Sequence, residues 1–350
     1  MKKILYILDQ PNLYGSEIHV LKLIDMLKHN YDITLLCFNN GPLLERIPKE
    51  IHVKVFPMGW LSIGTFPHLI NFIKNERFDY IHCHQPKAML YGSMIGKLLG
   101  VKTFVTVHSL PENNRDSYRH VFKRFLVYAF HTTVLFLSEL VSSKIIYLTQ
   151  FSLKKSFFQD KAICIPNWID VDTEVRIYNS SKTLKLVSIG SVSYQKGVDR
   201  LIEALYLVID LPWELTIIGD GEKKYLSELR ERIDLLGLTK RINFLGYKED
   251  TESYLKESDY FVLLSRGETF GMVYLEAMSV GLSIVAWNIP AVLEVVPSYN
   301  LIINSISQLK NIFTKEYAKD YQQRADLNIS YVKENFSTSS VLKSYLMIYG

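Results

Sequence analysis

Two carboxylates, Glu268 and Glu276, stand eight positions apart within the segment Ser265–Gly281. Ser265 and Gly267 follow the apolar run Tyr260–Leu264, which reads as a buried strand. Gly271 and Gly281 bracket a helical stretch. The order is strand, glycine loop, helix N-terminus. Free backbone N–H groups at a helix start bind anions. A carboxylate one turn further in can reach neutral hydroxyls beside such an anion. Phosphate next to hydroxyls describes a sugar nucleotide.

Other segments carry weaker versions of the same signal. Gly190-Ser-Val-Ser-Tyr-Gln-Lys-Gly197 leads from a strand into a helix and sets the charge of Lys196 at the helix entrance. An ordinary turn with a solvated lysine explains it equally well. Gly219, in Ile217-Ile-Gly-Asp-Gly-Glu222, is a structural turn with at most a supporting role. Gly15, in Asn12-Leu-Tyr-Gly-Ser-Glu17, could admit a phosphate or an acceptor between the first strand and its helix. His108 ends Val105-Thr-Val-His108, where a polar side chain points away from the core; His84 sits similarly in His82-Cys-His84. Position rather than residue type favours His108. No G-x-G-x-x-G occurs, which argues against a nicotinamide enzyme. Asp170-Val-Asp172 has the form of a metal–diphosphate pair but falls in a crossover, so no metal is expected there.

The elements around these residues alternate. Twelve short apolar runs read as strands, from Ile4–Leu8 to Ser283–Ala286 and including Val134–Leu137. Helical patterns such as Ser16–Lys28, Lys87–Leu99, Gly197–Ile209 and Lys223–Leu236 lie between them. This rhythm predicts parallel sheets with right-handed crossovers. It breaks at Pro166-Asn-Trp-Ile-Asp170 and restarts at Leu184. Two doubly wound α/β halves facing across a cleft are expected, 1–168 and 169–330, with ligands at the carboxyl ends of the strands. A helical segment, 331–350, closes the chain, with a return onto the N-terminal half as one option.

Composition bounds the rest. The chain has 350 residues, 48% hydrophobic and 22% charged, which suits two globular cores. A net charge of +4 is too small to argue for nucleic acid. Cys37, Cys83 and Cys164 are widely spaced in apolar runs, as buried free thiols of a reducing compartment would be. The apolar start stops at Asp9, and Phe125–Val141 is too interrupted to span a bilayer, so a cytoplasmic location is expected. Arg115 to Phe130 has helical spacing of apolar residues, with Arg115, Arg119, Lys123 and Arg124 among its basic positions. A core-facing helix with a solvated basic face is the plainer reading. Contact with an anionic membrane surface gains weight if the acceptor is lipid-linked, making the protein peripheral on the inner face of the cell membrane.

Taken together, these residues resemble the GT-B retaining glycosyltransferases of family 4. Glu268-Thr-Phe-Gly-Met-Val-Tyr-Leu-Glu276-Ala-Met matches the family's E-x7-E signature. Gly190–Gly197 corresponds to its G-R-x-x-x-x-K-G element, Ile218–Gly221 to the next loop, and Phe244-Leu-Gly-Tyr247 to the base-contacting turn. The resemblance is strongest over Leu184–Glu294 and weaker over 1–170. It implies a GT-B fold, with an N-terminal acceptor-binding and a C-terminal nucleotide-sugar-binding domain. It implies transfer of a hexosyl unit from a nucleotide diphosphate sugar to a saccharide or lipid-linked saccharide, in bacterial surface polysaccharide synthesis, with no metal or cofactor. In the implied roles Lys196 neutralises the diphosphate and Glu276 binds the ribose. Glu268 and the backbone of Phe270, Gly271 and Met272 hold sugar hydroxyls and phosphate. His108 lies near the anomeric centre, Gly15 near the phosphate, and Gly190, Gly219 and Leu245 line the donor. Lys196, Glu268 and His108 are the residues implied for catalysis.

The chain also departs from the pattern. Ser191 replaces the arginine that shares the diphosphate with the lysine, and Arg266 is one candidate to substitute. Trp168 and Tyr14 each replace a glycine. Ser191 keeps open a non-catalytic, sugar-nucleotide-binding partner of a transferase. An isomerase of sugar nucleotides would need further acid–base residues that the sequence does not offer.

Overall fold

The computed structural model describes residues 1–60, 64–116, 118, 120–171, 183–310 and 321–350. The chain forms two compact units. The first comprises Met1–Pro111, Phe125–Asn167 and Val341–Gly350, and the second comprises Glu112–Arg124 and Trp168–Ser340.

The first unit is built on strands β1 (Lys3–Leu8), β2 (Asp32–Cys37), β3 (His52–Val55), β4 (Tyr80–His84), β5 (Lys102–Val107), β6 (Lys144–Tyr147) and β7 (Ala162–Cys164). All pairings are parallel, in the order β3-β2-β1-β4-β5-β6-β7. Ile4 to Leu8 of β1 are fully buried on both faces, as a central parallel strand covered by helices must be. The second unit repeats the plan with β8 (Leu184–Ile189), β9 (Trp213–Ile218), β10 (Ile242–Phe244), β11 (Tyr260–Leu263), β12 (Ser283–Trp287) and β13 (Leu301–Ile303), in the order β10-β9-β8-β11-β12-β13. Each unit is a doubly wound, Rossmann-like sheet. Strand order reverses between β1 and β4 in the first and between β8 and β11 in the second. Loops leaving the strands at such a reversal splay apart and make room for a ligand.

Several expectations needed correction. Val134–Leu137 is not a strand but part of the helix Val121–Val141. Val134, Leu135, Ser138 and Glu139 are its buried residues, a spacing of helical period, and a four-residue apolar run alone does not distinguish the two. Glu139 is fixed by the Tyr147 hydroxyl, by Ser156 Oγ at 2.9 Å and by the Phe157 N–H at 2.9 Å. The expected helix over Arg115–Phe130 is two elements, Pro111–Asp116 and Val121–Val141. Its apolar side is turned to solvent: Phe122 and Phe125 are 71% and 65% exposed. Arg115 lies on the first of these helices and Lys123 and Arg124 on the second; Arg119 lies outside the described residues. Strands β6 and β13 were not anticipated. The tail is two helices, Tyr321–Asn335 and Thr338–Tyr349. The second brings Tyr349 into the first unit, with its hydroxyl 3.2 Å from that of Tyr6. Cys37 and Cys83 are buried free thiols, whereas Cys164 is only partly covered.

Candidate functional site

In the second unit the loops after β8 and β11 are locked together. Lys196 Nζ lies 2.6 Å from Glu268 Oε1, and the Ser265 hydroxyl donates to the same oxygen at 2.9 Å. Gln195 Nε2 donates to the Gly267 carbonyl at 3.0 Å, and the Arg266 N–H donates to the Gln195 carbonyl at 2.7 Å. The loops meet this closely because Gly197 has no side chain: a Cβ there would lie 2.0 Å from the Leu264 carbonyl oxygen. Gly271, at φ +84°, then opens the helix Met272–Ser279. No acidic residue stands in that helix's first turn, so its N-terminal N–H groups keep their positive field. A Cβ on Gly271 would be 3.7 Å from the Glu268 carboxyl carbon. The Glu268 carboxylate therefore sits between the Lys196 ammonium and a helix N-terminus, which is where an exogenous anion would be held.

The neighbouring loops complete this rim. Gly219, at φ +137°, presses its backbone against Gly190, and an added Cβ would be 2.0 Å from the Gly190 carbonyl oxygen. The Gly219 N–H donates to Gly246 at 2.8 Å, beside Leu245. Phe270 is buried, with its ring against Phe336. Glu276 lies one turn along the helix and lines a hollow with Asp170, Thr251, Glu252 and Ser279. Asp172 lies outside the described residues, and Asp170 bonds the Thr338 hydroxyl.

Arg266, the candidate for the cation missing at Ser191, is engaged within the second unit. Its guanidinium holds both Asp199 oxygens, at 2.7 and 2.6 Å, donates to the Tyr194 carbonyl and stacks 3.7 Å from the Tyr194 ring. Burial pushes the Asp199 carboxyl up, but the hydrogen bonds and charge of Arg266 outweigh it and leave the group below its ordinary value.

The first unit gathers histidines. His82 and His84, two positions apart on β4, share a face. His84 Nδ1 is 2.9 Å from His108 Nε2, and His82 Nε2 is 2.7 Å from Thr106 Oγ1. His19 joins them from the helix Gly15–Leu27, bonded to Asn167 Oδ1 at 2.7 Å and to the Tyr345 hydroxyl at 3.3 Å. Burial lowers all four, with mutual repulsion adding to it at His82, His84 and His108. His19 falls to about 4, and the other three stand well below the usual imidazole range. These rings are neutral at pH 7, so His108 exchanges hydrogen bonds rather than carrying a charge. One ring nitrogen each of His19, His84 and His108 lie within 4.8 Å of one another, so the trio could in principle ligate a cation. Gly15 starts its helix with open space around its Cα.

Two family models divide the chain between these units. "Glycosyltransferase Family 4" matches residues 14–173, and "Glycosyl transferases group 1" matches 183–310. The chain belongs to the family 4 glycosyltransferases. It is 27% identical over 312 residues to UDP-Gal:alpha-D-GlcNAc-diphosphoundecaprenol alpha-1,3-galactosyltransferase of Escherichia coli, covering 82% of this chain and 79% of that protein. It is 24% identical to the amylovoran biosynthesis glycosyltransferase AmsD of Erwinia amylovora, covering 82% and 81% of the two chains. Among solved structures, Anabaena Alr3699/HepE in complex with UDP-glucose superimposes with a TM-score of 0.83 at 20% identity, over 99% of both chains. The fold is GT-B.

Two supports of the candidate residues, one in each unit, escaped the sequence reading. Asn113 is buried and donates from Nδ2 to Thr269 Oγ1 at 2.8 Å, behind the Glu268 loop. Nothing in the linear pattern ties residue 113 to residue 269. Gln85 is held at φ +71° at the end of β4. Its Oε1 accepts from the Asp9 and Gln10 N–H groups at 2.8 and 2.9 Å, and its Nε2 donates to buried Glu17 at 2.9 Å. The adjacent Pro86 keeps Gln85 out of the helical region but favours negative φ, so it does not signal the positive φ found here.

Proposed function

We propose that this glycosyltransferase moves a hexosyl unit from a nucleotide diphosphate sugar to a lipid-linked saccharide, with retention of anomeric configuration. One observation carries the reading: the Lys196–Glu268 pair beside the N-terminus of Met272–Ser279, at the strand reversal of the second sheet. In this reading the diphosphate takes the ammonium of Lys196 and the N–H groups of Gly271 and Met272. Glu268, released from Lys196, accepts from sugar hydroxyls, and Glu276 accepts from the ribose. Gly190, Gly219 and Leu245 bring backbone to the nucleotide, and Phe270 offers its backbone alone. The first unit serves the acceptor and the reacting end of the sugar: Gly15 leaves room for a phosphate, and neutral His108 accepts or donates at a hydroxyl. The positive charge that offsets the leaving diphosphate is the protein's own, so the reading asks for no metal ion. Positioning does the rest, with the departing phosphate taking the acceptor proton. The lipid-linked acceptor is supported by the E. coli relative, whose name gives a diphosphoundecaprenol-linked sugar. The nucleotide sugar is supported by the UDP-glucose held by the Anabaena protein.

The test is Glu276→Ala with a panel of nucleotide sugars. Two lost hydrogen bonds to a carboxylate, at about 1.5 kcal/mol or more each, predict donor affinity at least ~100-fold weaker. Unchanged affinity and turnover would remove the assignment. A binding protein without catalysis is the second reading, favoured by Ser191 together with the engagement of Arg266 by Asp199. Release of nucleoside diphosphate that requires both donor and acceptor excludes it.

A further inference from the structure

Among the described residues, Val121–Val141 is the helix long and apolar enough to cross a membrane, yet only 22% of its most apolar stretch is buried. A core helix would be mostly covered. Of its exposed large apolar residues, Phe122, Phe125, Leu126, Phe136, Leu137 and Leu140 fall on one stripe at 3.6 residues per turn, with Phe130 at its edge and Val121 off it. From Phe122 to Leu140 that stripe is about 27 Å long at 1.5 Å per residue. Rings from other elements extend it. Phe157, also exposed, lies 5.4 Å from Phe136, and Trp60 lies 5.0 Å from Phe130.

The charge around the stripe is predominantly positive. Residues 117–161 contain seven lysines and arginines against two acids, Glu139 and Asp160, and Glu139 is fully buried. Lys123 lies at one end of the helix. Exposed Lys154 and Lys155 stand three and two positions before Phe157, which packs towards the other end. A second copy of this chain is a poor occupant, because two-fold packing of the stripe on itself brings basic ends together. An apolar strip between basic residues fits an anionic bilayer surface.

We propose that this helix docks the protein in the plane of an anionic phospholipid membrane, with the phenylalanine stripe in the acyl boundary and the lysines at the headgroups. It does not span. Val134, Leu135 and Glu139 on its opposite side are packed into the first unit, and Glu139 takes hydrogen bonds from Tyr147, Ser156 and Phe157. Withdrawing the helix into lipid would break all of these. The docking needs no acceptor, so it stands apart from the proposed transfer.

The experiment is sedimentation of the full chain with vesicles of phosphatidylcholine alone or mixed with phosphatidylglycerol. The chain is expected to sediment with the mixed vesicles at low salt and to be released by salt or by high-pH carbonate. Phe122→Ser with Phe125→Ser changes only exposed side chains and is expected to lower the bound fraction at least ten-fold. Lys123→Glu with Arg124→Glu should abolish the preference for phosphatidylglycerol. Each variant's thermal melt, matching that of the parent, shows that it is folded. Four results overturn the proposal: no sedimentation, equal binding to both vesicles, retention after carbonate, or a parent dimer in light scattering that the phenylalanine variant makes monomeric. The readout uses no sugar nucleotide, so its failure leaves the transfer reading untouched.

Discussion

Lys196→Ala separates the structural contact of this lysine from the role proposed for it. Its ammonium is 2.6 Å from Glu268, a carboxylate only 7% exposed, so truncation leaves a buried charge facing the Ser265 hydroxyl. Losing a hydrogen bond to a charged group costs about 1.5–3 kcal/mol. The lysine side chain is 19% exposed, and solvent screening holds the cost towards the lower figure. A loss of about 2 kcal/mol lowers Tm by roughly 4–8 °C for a unit of this size. The second job is the catalytic one proposed above. Removing one donor aimed at a developing negative charge costs about 2.7–4 kcal/mol, or a factor of ~100–1,000 in turnover. The assay pairs thermal melts with nucleoside diphosphate release at saturating donor, for Lys196→Ala, Glu268→Gln and the double variant. In the double variant the orphaned charge is gone, so the melt recovers while turnover stays low. Lys196→Arg keeps a cation and retains turnover within about ten-fold. Recovery of turnover together with the melt would mean that Lys196 merely holds Glu268. A single-variant rate within about five-fold of the parent would mean that the diphosphate lies elsewhere.

Other perturbations read other parts of the structure. Asn113→Ala removes the buried bond to Thr269; it should cost about 1–2 kcal/mol and weaken donor binding, seen as a smaller thermal shift on adding nucleotide sugar. Gly219→Ala puts a Cβ 2.0 Å from a backbone oxygen at φ +137° and should lower the denaturant midpoint, whereas Gly15→Ala meets nothing within 4 Å. The second variant should fold normally, so any lost activity reports a ligand close to Gly15. Acid should unfold the first unit early. His19 is held at about 4 in the folded state against about 6.5 unfolded, so the unfolded chain takes up the proton first. Stability present above about pH 6.5 is lost as pH falls towards 4, on the order of 3 kcal/mol for His19 alone. His82, His84 and His108 act in the same direction. Glu17 and Glu139, raised by burial, act oppositely and regain some stability as pH falls towards 4.5. Denaturant midpoints measured across this range should show the net decline, and His19→Gln should flatten it.

Much of the second unit was readable because its site is local. Lys196 and Glu268 each follow a strand within a few residues, and the glycines that let the β8 and β11 loops touch are visible as glycines. The strand rhythm gave the parallel sheets for the same reason. What stayed hidden depends on pairing across long separations. Asn113 meets Thr269 across 156 positions, and Tyr349 meets Tyr6 across 343. The helix Val121–Val141 was misread for a different reason. Its apolar residues do show the helical period, but periodicity states only that a face is apolar, not that protein covers it.

That leaves the cationic half of the proposed donor site, where sequence and structure argue together. Ser191 removes one positive charge from the loop after β8, and Asp199 occupies the nearby guanidinium of Arg266 through two bonds. Of the two cations that the family pattern places on this loop, Lys196 remains, and Glu268 holds it. In the proposed reading, a donor diphosphate competes with that carboxylate for the ammonium. The helix N-terminus at Gly271 lies beside the same carboxylate and is made of backbone, so side-chain substitutions elsewhere leave its field in place. In the proposed reading, binding of the diphosphate displaces Glu268 from Lys196 and frees its oxygens to accept from sugar hydroxyls. A donor carrying both groups gains at both steps, whereas a free nucleoside diphosphate must break the pair without the sugar's hydrogen bonds in return. The expected consequence is that the sugar nucleotide binds more tightly than the nucleoside diphosphate alone, and that Glu268→Gln narrows the difference. Equal affinities in the parent protein would show that the Lys196–Glu268 pair stays closed when donor binds.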